Sequence, residues 1–407
     1  MIHEKNRQVL LHLLLLSGIG PVGILKILSY FTQQQSPDQW CDDYIDRLPT
    51  TLFDLENLYH LSVADFLHMG LSAKVAHALC DGLADRTLLE KELQSLEKID
   101  VRLITLLDAD YPMLLRHIHV PPTVLYVQGS LPEPVGPRLA FVGARLADSY
   151  GQRAVSLLVP QLVQTGFETV SGGARGIDTM VHQETLNAGG KTFVVLGSGL
   201  LDLYPQENER LFKQVCERGG ALISPFPLHS GPDRGNFPAR NRIIAGMSQG
   251  CVVVQAAEKS GALITAHFAL EQGRQVFAVP GSIFSELSFG CNRLIAQGAK
   301  SVHNVHAILE EFGHVPQQEN QDKIIVPAKR VVAEPRMGQK TIETVVQKNP
   351  EPVGELDPIL VCLQRPQTLD ELCVATGLSL DEVQNKLFEL HLEGKVKQNF
   401  SGTWQAA

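Results

Sequence analysis

The chain has no Cys-x-x-Cys pair, no excess of positive charge, and no run approaching the ~20 apolar residues of a membrane span. Its seven cysteines, at positions 41, 80, 216, 251, 291, 362 and 373, are odd in number. That argues against a disulfide framework or a zinc site and for reduced thiols in a cytoplasmic protein. A formal net charge of −9 excludes diffuse electrostatic capture of nucleic acid, because counterion release needs clustered cations. A local basic groove stays open, since charges at ~0.15 M salt act within roughly 8 Å. No Gly-x-Gly-x-x-Gly opens the first strand–helix unit, which counts against a dinucleotide-dependent oxidoreductase. No metal or cofactor is expected.

At 407 residues the chain has room for two or three domains, each able to bury a core. Residues 1–102 read as a helical domain. Its apolar stretch Val9–Leu16 follows Lys5 and Arg7 and loosely imitates a signal peptide, but Glu4 and His12 break the pattern, so a buried helix is expected. Ser72–Leu83 has helical spacing with Ser72 as an N-cap. Leu16–Pro21, with Gly18 and Gly20, suits either a phosphate-approaching helix-hairpin-helix turn or a plain glycine turn between packed helices.

From 103 to 312 the texture changes. Candidate strands fall at Val101–Leu107, Leu139–Val142, Glu168–Val170, Thr192–Leu196, Ala221–Ser224, Gly250–Gln255 and Gln275–Val279, with helical patterns at Gly151–Thr165, Ile177–Asn187 and Leu263–Glu271. This alternation predicts an α/β fold with a mostly parallel sheet covered on both faces, and ligands at the carboxyl ends of its strands. Residues 313–355 read as a proline-rich linker. Its weak basic run of Lys329, Arg330, Arg336 and Lys340 reads as a solvated tether rather than a nucleic-acid arm. Residues 356–407 show a winged-helix pattern: helices at Asp357–Leu363, Thr368–Thr376 capped by Thr368, and Ser379–Leu392, then a wing around Ser401-Gly402. The third helix is acidic, so the unit is expected to bind a partner, or DNA weakly through Lys395 and Lys397.

Five segments after candidate strands carry the chemistry. In Phe237–Gly246, Arg240 and Arg242 flank Asn241 ahead of the apolar Ile243–Ala245. Guanidinium forks suit phosphate oxygens, and an asparagine both donates and accepts. Arg145 follows Gly143 at the end of a strand. Ser171, Gly172, Gly173 and Arg175 precede a helix, where successive backbone N–H groups can face an anion. Asn208 and Arg210 begin another helix, Arg210 being placed to face the same mouth as Arg145, and Lys259 leads the last loop-to-helix segment. Asp178 and His182, four apart, read as a structural Asp–His hydrogen bond locking their loop rather than a catalytic pair. Phe237 is either a core residue or a base-stacking one.

Together these segments resemble the DprA/Smf family, the DNA-processing protein A of bacteria. The resemblance rests on Val142–Arg145, Ser171–Asp178 with His182, Tyr204-Pro205 with Asn208, Phe237–Ser248, Lys259–Ala266, Val279–Gly281 and Gly290–Ile295 with Gly298-Ala299, in order across about 105–310. It implies an extended Rossmann-like fold, an N-terminal helix-hairpin-helix or SAM-like domain and a C-terminal winged helix. It further implies a non-enzymatic, homodimeric protein that binds single-stranded DNA without sequence preference, protects incoming strands and loads the RecA recombinase in natural transformation. DNA contacts are then expected at Arg145, Ser171, Gly172, Gly173, Arg175, Asn208, Arg210, Arg240, Asn241, Arg242 and Lys259. The sequence departs from the family pattern at Ala144, Gly173, Pro225 and Gln255, the last two standing where glutamate is usual. The competing expectation is a phosphoribohydrolase-like nucleotide enzyme using Asp178 and His182 or Glu271. The Gly-Gly-x-Gly-Thr loop of such enzymes is missing at Ser260–Thr265.

Overall fold

The structure is a computed structural model that describes residues 2–32, 53–131, 136–313 and, further on, 362–363, 367, 369–376, 378, 382–383, 386–387, 390, 395–398 and 404–406. It divides into two compact units, Met1–Lys323 and Ile324–Ala407.

The first unit is built on nine strands: β1 (Arg102–Thr105), β2 (Val124–Gly129), β3 (Arg138–Val142), β4 (Glu168–Ser171), β5 (Thr192–Val195), β6 (Ala221–Ser224), β7 (Gly250–Val253), β8 (Gln275–Ala278) and β9 (Lys300–Ser301). Their order across the sheet is β1-β2-β6-β5-β4-β3-β7-β8-β9. From β6 to β9 every pairing is parallel, while β1–β2 and β2–β6 are antiparallel. Strands β3 to β7 are buried at every residue, as expected where helices cover both faces of a parallel sheet. The chain winds outward from β3 through β4, β5 and β6, then returns to place β7 on the other side of β3. The strand order reverses there, and open α/β sheets bind ligands at that switch point.

The helix Ser149–Gln164 starts where the Asp148 carboxylate accepts from the amides of Tyr150 (2.8 Å) and Gly151 (3.0 Å), an N-cap in the usual sense. The helix Ala73–Ala84 begins after Ser72 as expected, but the Ser72 hydroxyl makes no capping bond. Val9, Leu10, Leu11 and Leu13 are buried within the first helix, Ile2–Leu15. The N-terminal helices are not a separate body. They share one apolar core with Tyr111, Val124, Leu125 and Val127 at the sheet edge, and Arg7 forks onto Asp108 at 2.7 Å. The turn Leu16–Pro21 joins the first helix to Pro21–Phe31, with Gly18 at φ 92°, a conformation glycine adopts without strain.

In the second unit the helix Leu369–Thr376 and an antiparallel pair, Val396–Gln398 against Trp404–Ala406, surround Leu363, Leu372, Val383, Leu387, Leu390 and Val396. The expected cap at Thr368, most of the Ser379–Leu392 helix and nearly all of the 313–355 linker lie outside the described residues. Among the described residues no helix is long and apolar enough to cross a membrane.

Candidate nucleic-acid interface

A cleft of about 390 Å³ opens over the carboxyl ends of β3, β4 and β7, within the ~300–1,000 Å³ range of ligand sites. Val142, Gly143 and Arg145 line it after β3, Ala174 and Asp178 after β4, and Ser260 to Ala262 with Ile264 and Thr265 after β7. The far wall is the helix Asn236–Gly246 and the residues just before it, through Arg234, Phe237, Pro238, Arg240, Asn241 and Ile244. Spacings of three and four put 237, 240, 241 and 244 on one helical face.

The cations divide sharply. Arg240 is only 5% exposed. Its Nη1 donates to the carbonyl of Val195 at 2.7 Å and to that of Gly172, and its Nε donates to Asn241 Oδ1 at 3.0 Å. Burial pulls the Arg240 guanidinium down to about 10, against the opposing pull of Asp178; it stays charged at neutral pH. Asp178 is buried too, which pushes its carboxyl above the ordinary value, while Arg240's charge holds it back. The Asp178 Oδ2 accepts from the amides of Gly172 (3.2 Å) and Ala174 (3.3 Å). The glycine-rich loop therefore spends these N–H groups on an internal carboxylate, not on an external anion as its sequence suggests. The Asp178–His182 bond expected from the sequence does not form: His182 Nδ1 pairs with Thr192 Oγ1 at 2.7 Å, and burial drops the ring to about 3.

Several other expected contact residues are scaffold. Ser171 is buried and donates to the Phe141 carbonyl at 2.6 Å. Gly172 leaves room for the Arg240 guanidinium, which a Cβ would meet at 2.4 Å. Gly173 takes φ 64° against Val194 and Phe212. Asn208 is buried, with Nδ2 on the Gly173 carbonyl (2.9 Å) and Thr179 Oγ1 (2.7 Å). Arg242 does not reach the cleft. It lies about 200° around its helix from Arg240, and its Nη1 donates to His119 O at 2.7 Å and to Val120 O. Arg210 is exposed but lines no part of the cleft, because Leu211 and Phe212 turn inward and leave it facing solvent. Arg175 sits in a neighbouring hollow, paired with Glu207 at 2.6 Å. Lys259 lines a second hollow that shares Ser260 and Ile264 with the cleft.

Arg145 and Asn241 are thus the expected residues that meet at the cleft beside Arg240. Arg145 lies with its Cζ 5.1 Å from the Phe237 ring centroid, a cation–π distance. Phe237 is half-buried and faces the cleft, with Tyr204 at 6.3 Å. Arg234 was missed from sequence: it precedes the helix in the non-periodic stretch Gly231–Gly235, where its exposed guanidinium reaches the cleft. Neither Arg145 nor Arg234 is held by a carboxylate among the described residues. The same cleft is lined by the start of the helix Gly261–Glu271, whose N-cap Ser260 accepts from Ala262 N at 3.3 Å. A Cβ at Gly261 would meet nothing within 4 Å, so this helix end is open to a ligand. Helix N-termini carry unpaired N–H groups and favour anions.

A doubly wound sheet with exposed guanidinium groups, an aromatic face and a helix N-terminus at its switch point defines a Rossmann-like anion-binding protein, here carrying a winged-helix unit. Residues 102–313 match the family described as DNA recombination-mediator protein A, and residues 347–399 match the DprA winged helix domain. Protein Smf of Synechocystis sp. is 39% identical over 307 residues, 72% of this chain and 76% of that protein. The DNA processing protein DprA of Bacillus subtilis is 40% identical over 225 residues, 55% of this chain and 75% of that protein. The solved DNA processing protein A of Streptococcus pneumoniae aligns with TM-score 0.62 and 34% identity, covering 75% of this chain and 97% of that one. The chain belongs to the DprA/Smf family of DNA-processing, recombination-mediator proteins.

Proposed function

We propose that the switch-point cleft binds the sugar–phosphate chain of single-stranded DNA without reading its sequence. On this proposal the protein acts in the cytoplasm as a non-enzymatic mediator that shields incoming strands and loads RecA during transformation and recombination. The observation that carries the reading is one cleft lined by two exposed arginines, Arg145 and Arg234, by the Phe237 ring that Arg145 approaches at 5.1 Å, and by the start of the helix Gly261–Glu271. Phosphate contacts supply affinity without base information, and a ring such as Phe237 stacks any base at ~1–3 kcal/mol. Homodimerisation would set two such clefts on one strand and raise avidity through effective concentration. A nucleotide hydrolase finds little support in the geometry: His182 is fully buried on Thr192 and Asp178 is engaged by amides.

The test is the double substitution Arg145→Ala, Arg234→Ala, titrated with oligo-dT across a salt series. Binding weakens, and the slope of log K against log[salt] falls by about 1.4, two single-strand increments of roughly 0.7 each. Unchanged affinity and slope in a folded double variant would end the proposal.

A further inference from the structure

The loop between β6 and the helix Asn236–Gly246 carries Arg234 to the cleft, yet that arginine is exposed and its loop leaves the sheet. Something must hold the loop. Its root packs on the turn after β5: Leu201 N donates to Leu228 O at 3.0 Å, Gly199 N to Ser230 O at 2.7 Å, and Ser224 Oγ to Ser198 O at 2.8 Å. A Cβ on Gly199 would lie 2.2 Å from the Leu228 oxygen, so the two segments are in close apposition. From behind, the loop is held by a residue of the N-terminal helices. Glu92, 7% exposed in the helix Thr87–Leu96, accepts at one oxygen, Oε1, from the Leu228 amide (2.8 Å) and from the Tyr126 hydroxyl on β2 (2.8 Å). Leu228 itself is fully buried among Leu11, Leu89 and Tyr126.

We infer that Glu92 is a positioning residue for the cleft, fixing the root of the loop that presents Arg234. The inference rests on the strand-binding reading above and gives the N-terminal helices a part in it: they are the rear support of one wall of the site. The physical case is that a buried carboxylate is costly unless its oxygens are engaged. The group it engages from the loop is a backbone amide, which no side-chain change at 228 short of proline can remove. A buried tie of this kind removes freedom from the loop, so less ordering is left to be done when a phosphate arrives.

The experiment uses the full chain and oligo-dT. Glu92→Leu fills the site with an apolar side chain and removes both acceptor contacts. Glu92→Asp keeps the charge but withdraws it by one methylene from Leu228 N, and serves if the leucine variant fails to fold. Glu92→Gln keeps an acceptor oxygen where Oε1 stands. Glu92→Leu and Glu92→Asp are expected to weaken binding roughly tenfold, the order of one charge-assisted contact, and to lower the salt slope by about 0.7. Glu92→Gln restores both. In an Arg234→Ala background the Glu92 substitutions add nothing further, because the contact they misplace is already gone. Full additivity with Arg234→Ala, an unchanged salt slope, or a glutamine variant as weak as the leucine one overturns the inference. Arg145→Ala is run in parallel. If it leaves binding intact, the strand-binding reading itself falls; if it weakens binding while the Glu92 variants do not, only the role of Glu92 falls.

Discussion

Arg240 offers the sharpest test of how the site is built, because its sequence context marks it as a ligand and its environment marks it as structure. In Arg240→Met the side chain still fills its channel, but three donor contacts are lost, to Gly172 O, Val195 O and Asn241 Oδ1. Asp178 then remains buried without the cation that opposes its desolvation. Hydrogen bonds made by a charged group contribute about 1.5–3 kcal/mol, and the acceptors left behind are buried. The amides of Gly172 and Ala174 still serve Asp178, so the loss falls on the carbonyls that Arg240 leaves unpaired, and we expect about 3 kcal/mol. Burial raises the folded-state value of Asp178 above its unfolded value of 3.8. Between those two values the folded form holds a proton that the unfolded chain has lost, so stability falls as pH rises through the window. Without Arg240 the folded value climbs further and the window extends upward. Urea unfolding followed by far-UV circular dichroism should therefore show a larger deficit at about pH 8 than at about pH 5. A deficit equal at both pH values would refute the coupling to Asp178. A deficit under about 1 kcal/mol with strand binding abolished would make Arg240 a ligand after all.

Arg242→Ala should leave the salt slope of oligo-dT binding untouched and cost about 1.5–3 kcal/mol of stability. Its guanidinium is spent on His119 O and Val120 O, and Val120 sits at φ 56°, an unfavourable angle for a β-branched residue; a lowered slope would return it to the DNA contacts. Gln255→Glu restores the carboxylate the family pattern expects, but Gln255 Nε2 donates to Asp148 Oδ1 at 2.8 Å. The substitution replaces that donor with a second negative charge and should cost roughly 1–3 kcal/mol at neutral pH. The loss is relieved as pH falls through the raised value of the new pair, and melting temperatures that do not recover in acid would contradict it. His182, lowered to about 3 by burial, should show no ring titration by NMR between about pH 5 and about pH 8. The unfolded chain takes its proton first, so this group erodes native stability as pH drops below about 6.5; a midpoint near that value would show the ring to be exposed.

Most of the sheet was legible because a strand buried on both faces tends to be a short apolar run, as in β3 and β5 to β8, and because such runs alternate with helical patterns; β4, Glu-Thr-Val-Ser, was placed by that alternation rather than by its own residues. β2 escaped although Val124–Val127 is such a run, since it pairs antiparallel with both β1 and β6 and continues no strand–helix alternation. β9 has two residues and gives no pattern at all. At the site, Arg145 was readable because a strand tip fixes where the next residues go. Asn241 and Arg242 were adjacent letters with opposite fates, and only the 100° step of the helix separates them. Arg234 lies in a loop with no period, so no sequence rule aims its side chain.

The arginines of this site divide by what surrounds their guanidinium groups, not by how close they stand in the sequence. Arg240 and Arg242 lie among backbone carbonyls, where a delocalised cation is among the few side chains able to satisfy several at once. Arg240 also answers the buried charge of Asp178, which caps the loop after β4. With that internal pair balanced, the net positive character of the mouth comes from Arg145, Arg234 and the start of the helix Gly261–Glu271. Two exposed charges are few, but they act inside a concave site, within a Debye length of roughly 8 Å at ~0.15 M salt. Acidic groups further away than that are largely screened. A chain carrying a formal −9 can hold a polyanion in this way: the overall negative charge discourages coating of its surface, and a local cationic mouth supplies the short-range contacts.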